Sequence, residues 1–203
     1  MNPVTHPPPV SHRSRSDAIA LACNRIATDD LAGARDIITT EYPFDPIKKA
    51  SRTYTLKAMT RIFIRDGFID RYRGTRLIFP PVLRLLSIYL PDDFPYHPHG
   101  KMTAGHMAFW ELFPTIDHLH PVARGGEDIA DNWFCCSMLT NSIKANWTLD
   151  ELQWTLQPAG DLQVWDGMLA WFVQQAAKDT AILDHAYVRR WWAALPNTHE
   201  HRA

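Results

Sequence analysis

The sequence predicts an α+β protein, in which a strand, a turn and a helix carry the candidate site and further helices surround them. A short apolar run ends at Asp117 and His118, and Gly125-Gly126 then mark a turn. Ser137 is a candidate N-cap for the helix that follows. Elsewhere the apolar residues recur at the spacing of amphipathic helices. Together these observations favour a small α+β core embedded in a mostly helical single domain.

The N-terminal part of the chain predicts a flexible arm and a helical element, and neither contains a catalytic pattern. Residues 1–15 are rich in proline, which is typical of a flexible arm. Residues 16–46 predict two helices, one capped by Ser16 and one that starts after Asp29-Asp30. We therefore expect the chemistry to lie further along the chain.

Residues 47–147 form the predicted core, and their first part is strongly basic. Residues 47–84 contain ten Lys and Arg against two Asp, a net charge of +8, so the rest of the chain carries −9 within the total of −1. An apolar helical stripe starts at Leu56, with Lys57 and Arg61 towards its other side. This asymmetry suits a nucleic-acid backbone, and a solvated helix face is the alternative.

The remaining segments predict a hairpin, several short helices and a loose tail. Residues 67–79 predict the hairpin. Helices are predicted at residues 82–90, 103–113, 148–156, 164–177 and 181–195. Thr148 and Glu151 form a capping box at the start of a C-terminal helical element, residues 148–196. The helical spacing of its tryptophans favours core packing over base stacking, and residues 197–203 predict a flexible tail.

The composition indicates a packed globular protein without a membrane span. Of the 203 residues, 46% are hydrophobic and eight are tryptophan, which argues against a disordered chain. No apolar run approaches the ~20 residues needed to cross a bilayer, and we expect no signal peptide. The three cysteines lack paired spacing, so we expect a reducing, cytoplasmic location.

Asp117, His118 and Asn141 supply the groups that metal-assisted hydrolysis requires. Oxygen ligands from Asp117 and Asn141 suit a hydrated Mg²⁺ or Mn²⁺ ion that keeps open positions for a phosphate. His118 is the candidate general base, because imidazole titrates near physiological pH and can accept a proton from water. Neighbours on a strand point to opposite faces, so we expect a bend after Leu119 to bring both side chains to one site.

These residues and their spacing resemble the motif of the HNH endonucleases, a family with a ββα-metal fold. The resemblance covers about 35 residues and consists of Asp117-His118, Pro121, Gly125-Gly126, Asn132 and Asn141-x-x-Lys144. It implies that Asp117 and Asn141 bind one divalent metal. It also implies that His118 is the general base. Asn132 is counted among the catalytic residues because it braces the loop of the site. The expected activity is hydrolysis of DNA that leaves 5′-phosphate and 3′-hydroxyl ends.

Residues 65–74 resemble the hairpin that opens many members of this family, in which two cysteine pairs bind zinc. Here the four cysteine positions hold Asp70, Arg73, Ser137 and Thr140. The adjacent Cys135 and Cys136 have the wrong spacing for a zinc pair, so we expect no structural zinc. We expect hydrogen bonds in its place, with an Asp70–Arg73 ion pair as a further candidate.

Three further residues are candidates for contact with substrate. His120 shares a strand face with His118 and would shape the site or contact phosphate. Arg124 and Lys144 would neutralise phosphate, and ordinary salt bridges are the alternative. The expected partner is double-stranded DNA. One such site cuts one strand, so a double-strand break would need a homodimer or two successive nicks.

Two other functions stay open on the sequence alone. A non-cleaving nucleic-acid-binding or interaction protein would keep the scaffold and lose the activity. A nuclease directed at RNA would use the same groups, because nothing in the sequence distinguishes a 2′-hydroxyl from deoxyribose. The presence of Asp117, His118 and Asn141 together favours cleavage, since a module that only binds has no need of them.

Overall fold

The computed structural model describes residues 14–44, 46 and 54–196, and the chain divides into two compact units between residues 47 and 48. The predicted tail and the predicted arm up to residue 13 lie outside the described residues. Arg15 belongs to a helix and not, as predicted, to the arm. Within the described ranges, no helix is long and apolar enough to cross a bilayer.

The described residues of the first unit form two helices, α1 (Arg15–Ile26) and α2 (Leu31–Glu41). Ser14 caps α1 in place of the predicted Ser16, because its hydroxyl accepts the backbone N–H of Asp17 at 3.1 Å. Asp30 caps α2 and accepts the N–H of Gly33 at 2.9 Å. The start of the second helix is therefore as predicted, and the first helix starts earlier.

In the described part of the second unit, helices surround one two-stranded antiparallel sheet. The helices are α3 (Leu56–Arg65), α4 (Pro80–Tyr89), α5 (Ala108–Glu111), α6 (Met138–Lys144), α7 (Leu149–Leu152), α8 (Leu169–Lys178) and α9 (Ala186–Trp192). The strands are β1 (Pro114–His118) and β2 (Trp133–Ser137). The predicted α+β class is confirmed at this level.

Several predicted helices are shorter than expected, because the chain turns inside them. The helix predicted over residues 148–156 ends at Leu152, since Gln153 adopts a left-handed backbone with φ 55°. Gly167 and Met168 also have positive φ, so α8 starts later than predicted. A 3-10 turn replaces the start of the last predicted helix, and only α5 forms within residues 103–113. Element type was predicted more reliably than element length.

Strands β1 and β2 form an antiparallel pair that is followed directly by helix α6. The register pairs Pro114 with Ser137 at one end and His118 with Trp133 at the other. Ser137 caps α6, as predicted, and its hydroxyl accepts the N–H of Thr140 at 3.0 Å. Strand, loop, strand and helix therefore follow one another without interruption over residues 114–144.

Aromatic side chains from α3, α8 and α9 share one core with the segment that precedes α4. Phe63 and Phe172 are fully buried, and Trp191 is 2% exposed. Phe79 contacts both Phe172 and Trp191, with ring centroids 5.4 and 5.6 Å apart. Trp191 therefore packs in the core, as the helical spacing predicted. Loss of one such buried ring typically costs about 3–5 kcal/mol.

Residues 67–79 form the predicted hairpin with a single isolated bridge, between Ile69 and Arg76, and contain no named strand. A buried carboxylate, Asp70, links this hairpin to the end of β2. Its Oδ1 accepts the backbone N–H groups of Tyr72 and Arg73 at 3.0 and 3.1 Å, and its Oδ2 accepts that of Ser137 at 3.0 Å. The hydroxyl groups of Ser137 and Thr140 lie 2.9 Å apart. Hydrogen bonds thus join these positions, as expected. Within the described contacts Arg73 reaches Asp70 through its backbone, and the predicted ion pair is not formed.

A second buried carboxylate, Asp66, joins the same hairpin to β2. Arg65 and Arg71 donate to it at 2.9 and 2.8 Å, and the backbone N–H of Cys135 donates at 2.8 Å. Both Asp66 and Asp70 are completely buried. A buried carboxylate is tolerated only when its oxygens are hydrogen-bonded or neutralised. These contacts therefore hold the hairpin against the sheet.

Replacement of Asp70 by Asn should destabilise the second unit. A carboxylate accepts hydrogen bonds on both oxygens, whereas an amide would turn its NH₂ group towards one set of backbone N–H donors. We expect the free energy of unfolding, measured by urea titration, to fall by about 1–3 kcal/mol. The control is Asp92→Asn at an exposed turn. Equal stability of both variants would contradict the bridging role of Asp70.

Candidate active site

Asp117 lies near the end of β1 and is 3% exposed. Its Oδ2 accepts the hydroxyl of Tyr72 at 2.8 Å and faces the ammonium group of Lys144 at 2.7 Å. Burial and the neighbouring Asp117 carboxylate raise the pKa of Tyr72 well above its ordinary value, so its hydroxyl remains a donor. One oxygen of Asp117 therefore has both a hydroxyl donor and a cation as neighbours.

Asn141 lies on α6, and its amide nitrogen donates to the carbonyl oxygen of Ile116 at 3.4 Å. The side chain therefore lies beside the residue that precedes Asp117. In the described part of the chain no donor reaches the amide oxygen of Asn141 or the Oδ1 atom of Asp117. These two oxygens are the chemical type that Mg²⁺ or Mn²⁺ prefers.

A divalent ion at this point would have few protein ligands and a cationic neighbour. No cluster of three or more His, Cys, Asp or Glu side chains suited to a metal occurs in the described ranges. Asp117 and Asn141 would supply two oxygens, and water and substrate would have to complete the shell, as is usual for Mg²⁺. The donor set fits such an ion, while the ammonium group of Lys144 already neutralises the other oxygen of Asp117.

Lys144 is completely buried, which differs from its predicted contact with substrate. Its ammonium group donates to the carbonyl oxygen of His118 at 2.8 Å and pairs with Asp117. It therefore ties α6 to the end of β1 and has no exposed surface for a phosphate. Removing one partner of such a buried pair typically costs about 3–5 kcal/mol.

His118 is 1% exposed and has different side-chain neighbours from Asp117. Its Nε2 lies 2.7 Å from Oδ1 of Asp128, and the hydroxyl of Tyr54 lies 3.3 Å from Nδ1 and 3.5 Å from Nε2. The chain bends at Leu119 and His120, as expected, while the N–H of Leu119 still donates to the carbonyl oxygen of Asn132 at 2.9 Å. Among the described contacts, the bend does not give the side chains of Asp117 and His118 a common neighbour. The two candidate side chains consequently lie in separate surroundings joined by Lys144.

Asn132 holds the loop between the two strands. Its Oδ1 accepts the N–H of His120 at 2.9 Å, and its Nδ2 donates to the carbonyls of His120 and Glu127 at 2.9 and 2.8 Å. Gly126 lies so close that an added Cβ would be 2.0 Å from the carbonyl oxygen of His120. A side chain at Gly126 would therefore break this arrangement. The imidazole of His120 is exposed and available at the surface.

Arg124 lies in the same loop and forms an ion pair with Glu151 at the start of α7. The predicted capping box of Thr148 and Glu151 is present. The backbone N–H of Thr148, helped by Arg124 and the Thr148 hydroxyl, lowers the pKa of Glu151 to about 2. Arg124 is one-third exposed, so a phosphate at this point would have to share it with Glu151.

The sequence analysis missed two residues of this region, Tyr54 and Asp128. Asp128 follows the Gly-Gly turn in a stretch that also contains Glu127 and Asp131, and nothing in the sequence separates the three acids. Tyr54 precedes α3 and is 64 residues from His118, so no local pattern connects them. The one available signal is an acidic stretch shortly after the Gly-Gly turn, and it draws equal attention to Glu127, Asp128 and Asp131.

No protein-family model, no curated protein and no solved structure matches the chain.

Proposed function

We propose that this protein is a metal-dependent HNH-type endonuclease that hydrolyses phosphodiester bonds of DNA. The observation that carries the proposal is the grouping of Asp117, Asn141 and Asn132 around one strand, loop, strand and helix. Their order and elements agree with those that the HNH motif implies. The oxygens of Asp117 and Asn141 that lack a donor offer two ligands for a hydrated divalent ion.

The hydrogen bonds around Asp70 give the proposal independent support. Asp70, Ser137 and Thr140 stand where many members of the family have zinc-binding cysteines, and here they are joined by hydrogen bonds. The hairpin is thereby attached to the start of α6 at the point where a zinc knuckle would attach it. An HNH-type scaffold can in this way be maintained by polar contacts alone.

The proposed reaction uses His118 as the general base. Nδ1 of His118 takes a proton from water, the hydroxide oxygen bonds to phosphorus, and the bond from phosphorus to the 3′ oxygen breaks. A bound Mg²⁺ or Mn²⁺ ion would supply stabilisation of charge on the phosphate and on the leaving oxygen. The hydroxyl of Tyr54 lies 3.3 Å from Nδ1 of His118. Substrate would therefore have to displace the Tyr54 hydroxyl before a water molecule could reach Nδ1.

Helix α3 offers a surface for the DNA backbone. Lys57 and Arg61 are exposed and one helical turn apart, so they lie on the same side of α3. At its C-terminal end, Arg65 donates to the carbonyl oxygens of Ala130 and Trp133 near the start of β2. The residue at its other end, Tyr54, contacts His118. The basic side of α3 therefore runs alongside the candidate site.

One observation favours a protein that binds nucleic acid without cleaving it. Lys144 already supplies a positive charge to Asp117, and Tyr54 covers His118, so the site is closed as described. A closed site is compatible with a scaffold that has lost its activity. The cleavage assay below separates the two functions.

The first test is cleavage of supercoiled plasmid by wild type and by His118→Ala, each with Mg²⁺, Mn²⁺ or EDTA. We expect metal-dependent nicking by wild type and a decrease on the order of 10²–10⁴-fold in the variant, because no general base remains. His99→Ala, an exposed loop histidine, is the matched control and should cut normally. Near-normal cutting by His118→Ala would refute the role of His118, and DNA binding without cutting by wild type would favour the binding function.

A second test concerns the DNA surface of α3. The double change Lys57→Glu and Arg61→Glu should weaken DNA binding by at least about 10-fold. The slope of the logarithm of the binding constant against the logarithm of the salt concentration should become shallower by about 0.9 for each lost phosphate contact. Fluorescence anisotropy at several salt concentrations measures both quantities. Lys101→Glu, at an exposed position outside α3, is the control. Equal affinities for the double variant and the control would exclude α3 from the interface.

A further inference from the structure

We infer that Asp128 is a positioning residue that determines which ring nitrogen of His118 carries the proton. Asp128 is one of the two residues that the sequence analysis did not identify. Its Oδ1 lies 2.7 Å from Nε2 of His118, the shortest of the contacts that join the imidazole side chain to its described neighbours. The consequence of this inference for catalysis rests on the proposed nuclease function, whereas the assignment of the proton does not.

The donors and acceptors around Asp128 determine the tautomer. The indole Nε1–H of Trp133 donates to the same Oδ1 atom at 2.8 Å, and an indole nitrogen can only donate. Oδ1 of Asp128 is therefore an acceptor at this point. An acceptor oxygen 2.7 Å from Nε2 requires a proton on Nε2 of His118. In a neutral imidazole with Nε2–H, Nδ1 holds the free lone pair.

The position of Tyr54 agrees with this assignment. Its hydroxyl lies 3.3 Å from Nδ1 and 3.5 Å from Nε2 of His118. These similar distances do not by themselves show which ring nitrogen is the hydrogen-bond partner of the hydroxyl. Once Nε2–H is directed at Asp128, Nδ1 is the one ring nitrogen that can accept a hydrogen bond from this hydroxyl. The atom that would accept a proton from water is thus the atom that faces Tyr54.

Among the described residues, two contacts help to hold Asp128 in place. Trp133 is the register partner of His118 across the two strands, so its indole approaches Asp128 from the neighbouring strand. Asn132 donates to the carbonyl oxygen of Glu127, the residue directly before Asp128. The loop that Asn132 braces therefore presents Asp128 to His118. The carboxylate would also stabilise the imidazolium ion after His118 accepts a proton.

The tautomer can be measured directly by NMR on the full-length, uniformly ¹⁵N-labelled protein without metal. Long-range ¹H–¹⁵N correlation spectra distinguish a protonated from an unprotonated ring nitrogen, and His118→Gln identifies the His118 signals. We expect protonated Nε2 in wild type and loss of this preference in Asp128→Ala. Asp128→Asn keeps an acceptor oxygen for Trp133 and should retain the tautomer. Asp131→Ala, an exposed acid in the same loop, is the matched control.

Cleavage assays on the same variants test the catalytic consequence. We expect kcat of Asp128→Ala to fall on the order of 10²-fold or more with little change in KM, and Asp131→Ala to retain wild-type kcat. Thermal melting shows that each variant is folded. If Asp128→Ala alone fails to fold, Asp128→Asn provides the comparison, because it should keep the tautomer and still lose turnover with the charge.

Several outcomes would overturn the inference. Protonated Nδ1 in wild type, or an unchanged tautomer in Asp128→Ala, contradicts the assignment itself. A changed tautomer with normal turnover contradicts the catalytic role of Asp128. Absence of cleavage by wild type would refute the nuclease proposal and leave the NMR result to decide the positioning role alone, so the two failures are distinguishable.

Discussion

Three buried carboxylates, Asp66, Asp70 and Asp117, constrain how the second unit is built. A carboxylate that loses water must gain hydrogen bonds or a cation, or the fold is penalised by several kcal/mol. Asp66 is satisfied by two arginines and one backbone N–H, Asp70 by backbone N–H groups alone, and Asp117 by Tyr72 and Lys144. Each carboxylate joins segments that are distant in sequence. The hairpin, the two strands and α6 are consequently fixed to one another by polar contacts.

The same constraint gives the candidate site two parts. On one side Asp117 and Asn141 offer oxygens for a divalent ion, and Lys144 balances the buried charge. On the other side the imidazole of His118 contacts Tyr54 and Asp128, and the indole of Trp133 contacts both of these residues. Lys144 connects the parts, because it contacts the carboxylate of Asp117 and the backbone carbonyl of His118. Activity would require both parts to act on one phosphate, which makes displacement of Tyr54 an expected step of substrate binding.

Interactions between residues close in sequence allowed the elements of the site to be predicted, whereas contacts between residues distant in sequence could not be predicted. The helix cap at Ser137 and the capping box of Thr148 and Glu151 depend on neighbouring residues, so they could be predicted. The contact of His118 with Tyr54 spans 64 positions, and the burial of Lys144 depends on the packing of α6 against β1. The predicted helices are too long where residues such as Gln153 adopt positive φ. A residue with an ordinary side chain gives no sequence signal for this backbone conformation, whereas glycine does.

The proposed divalent-ion site at Asp117 and Asn141 can be tested by titrating the protein with Mn²⁺ and following the free ion by EPR. We predict saturable binding of one ion per chain and an affinity at least about 10-fold lower in Asn141→Ala, since the amide oxygen would be a direct ligand. Asn146→Ala, just beyond the end of α6, is the control and should bind as wild type does. No saturable binding by wild type, or equal affinity in Asn141→Ala, would contradict a metal site formed by Asp117 and Asn141.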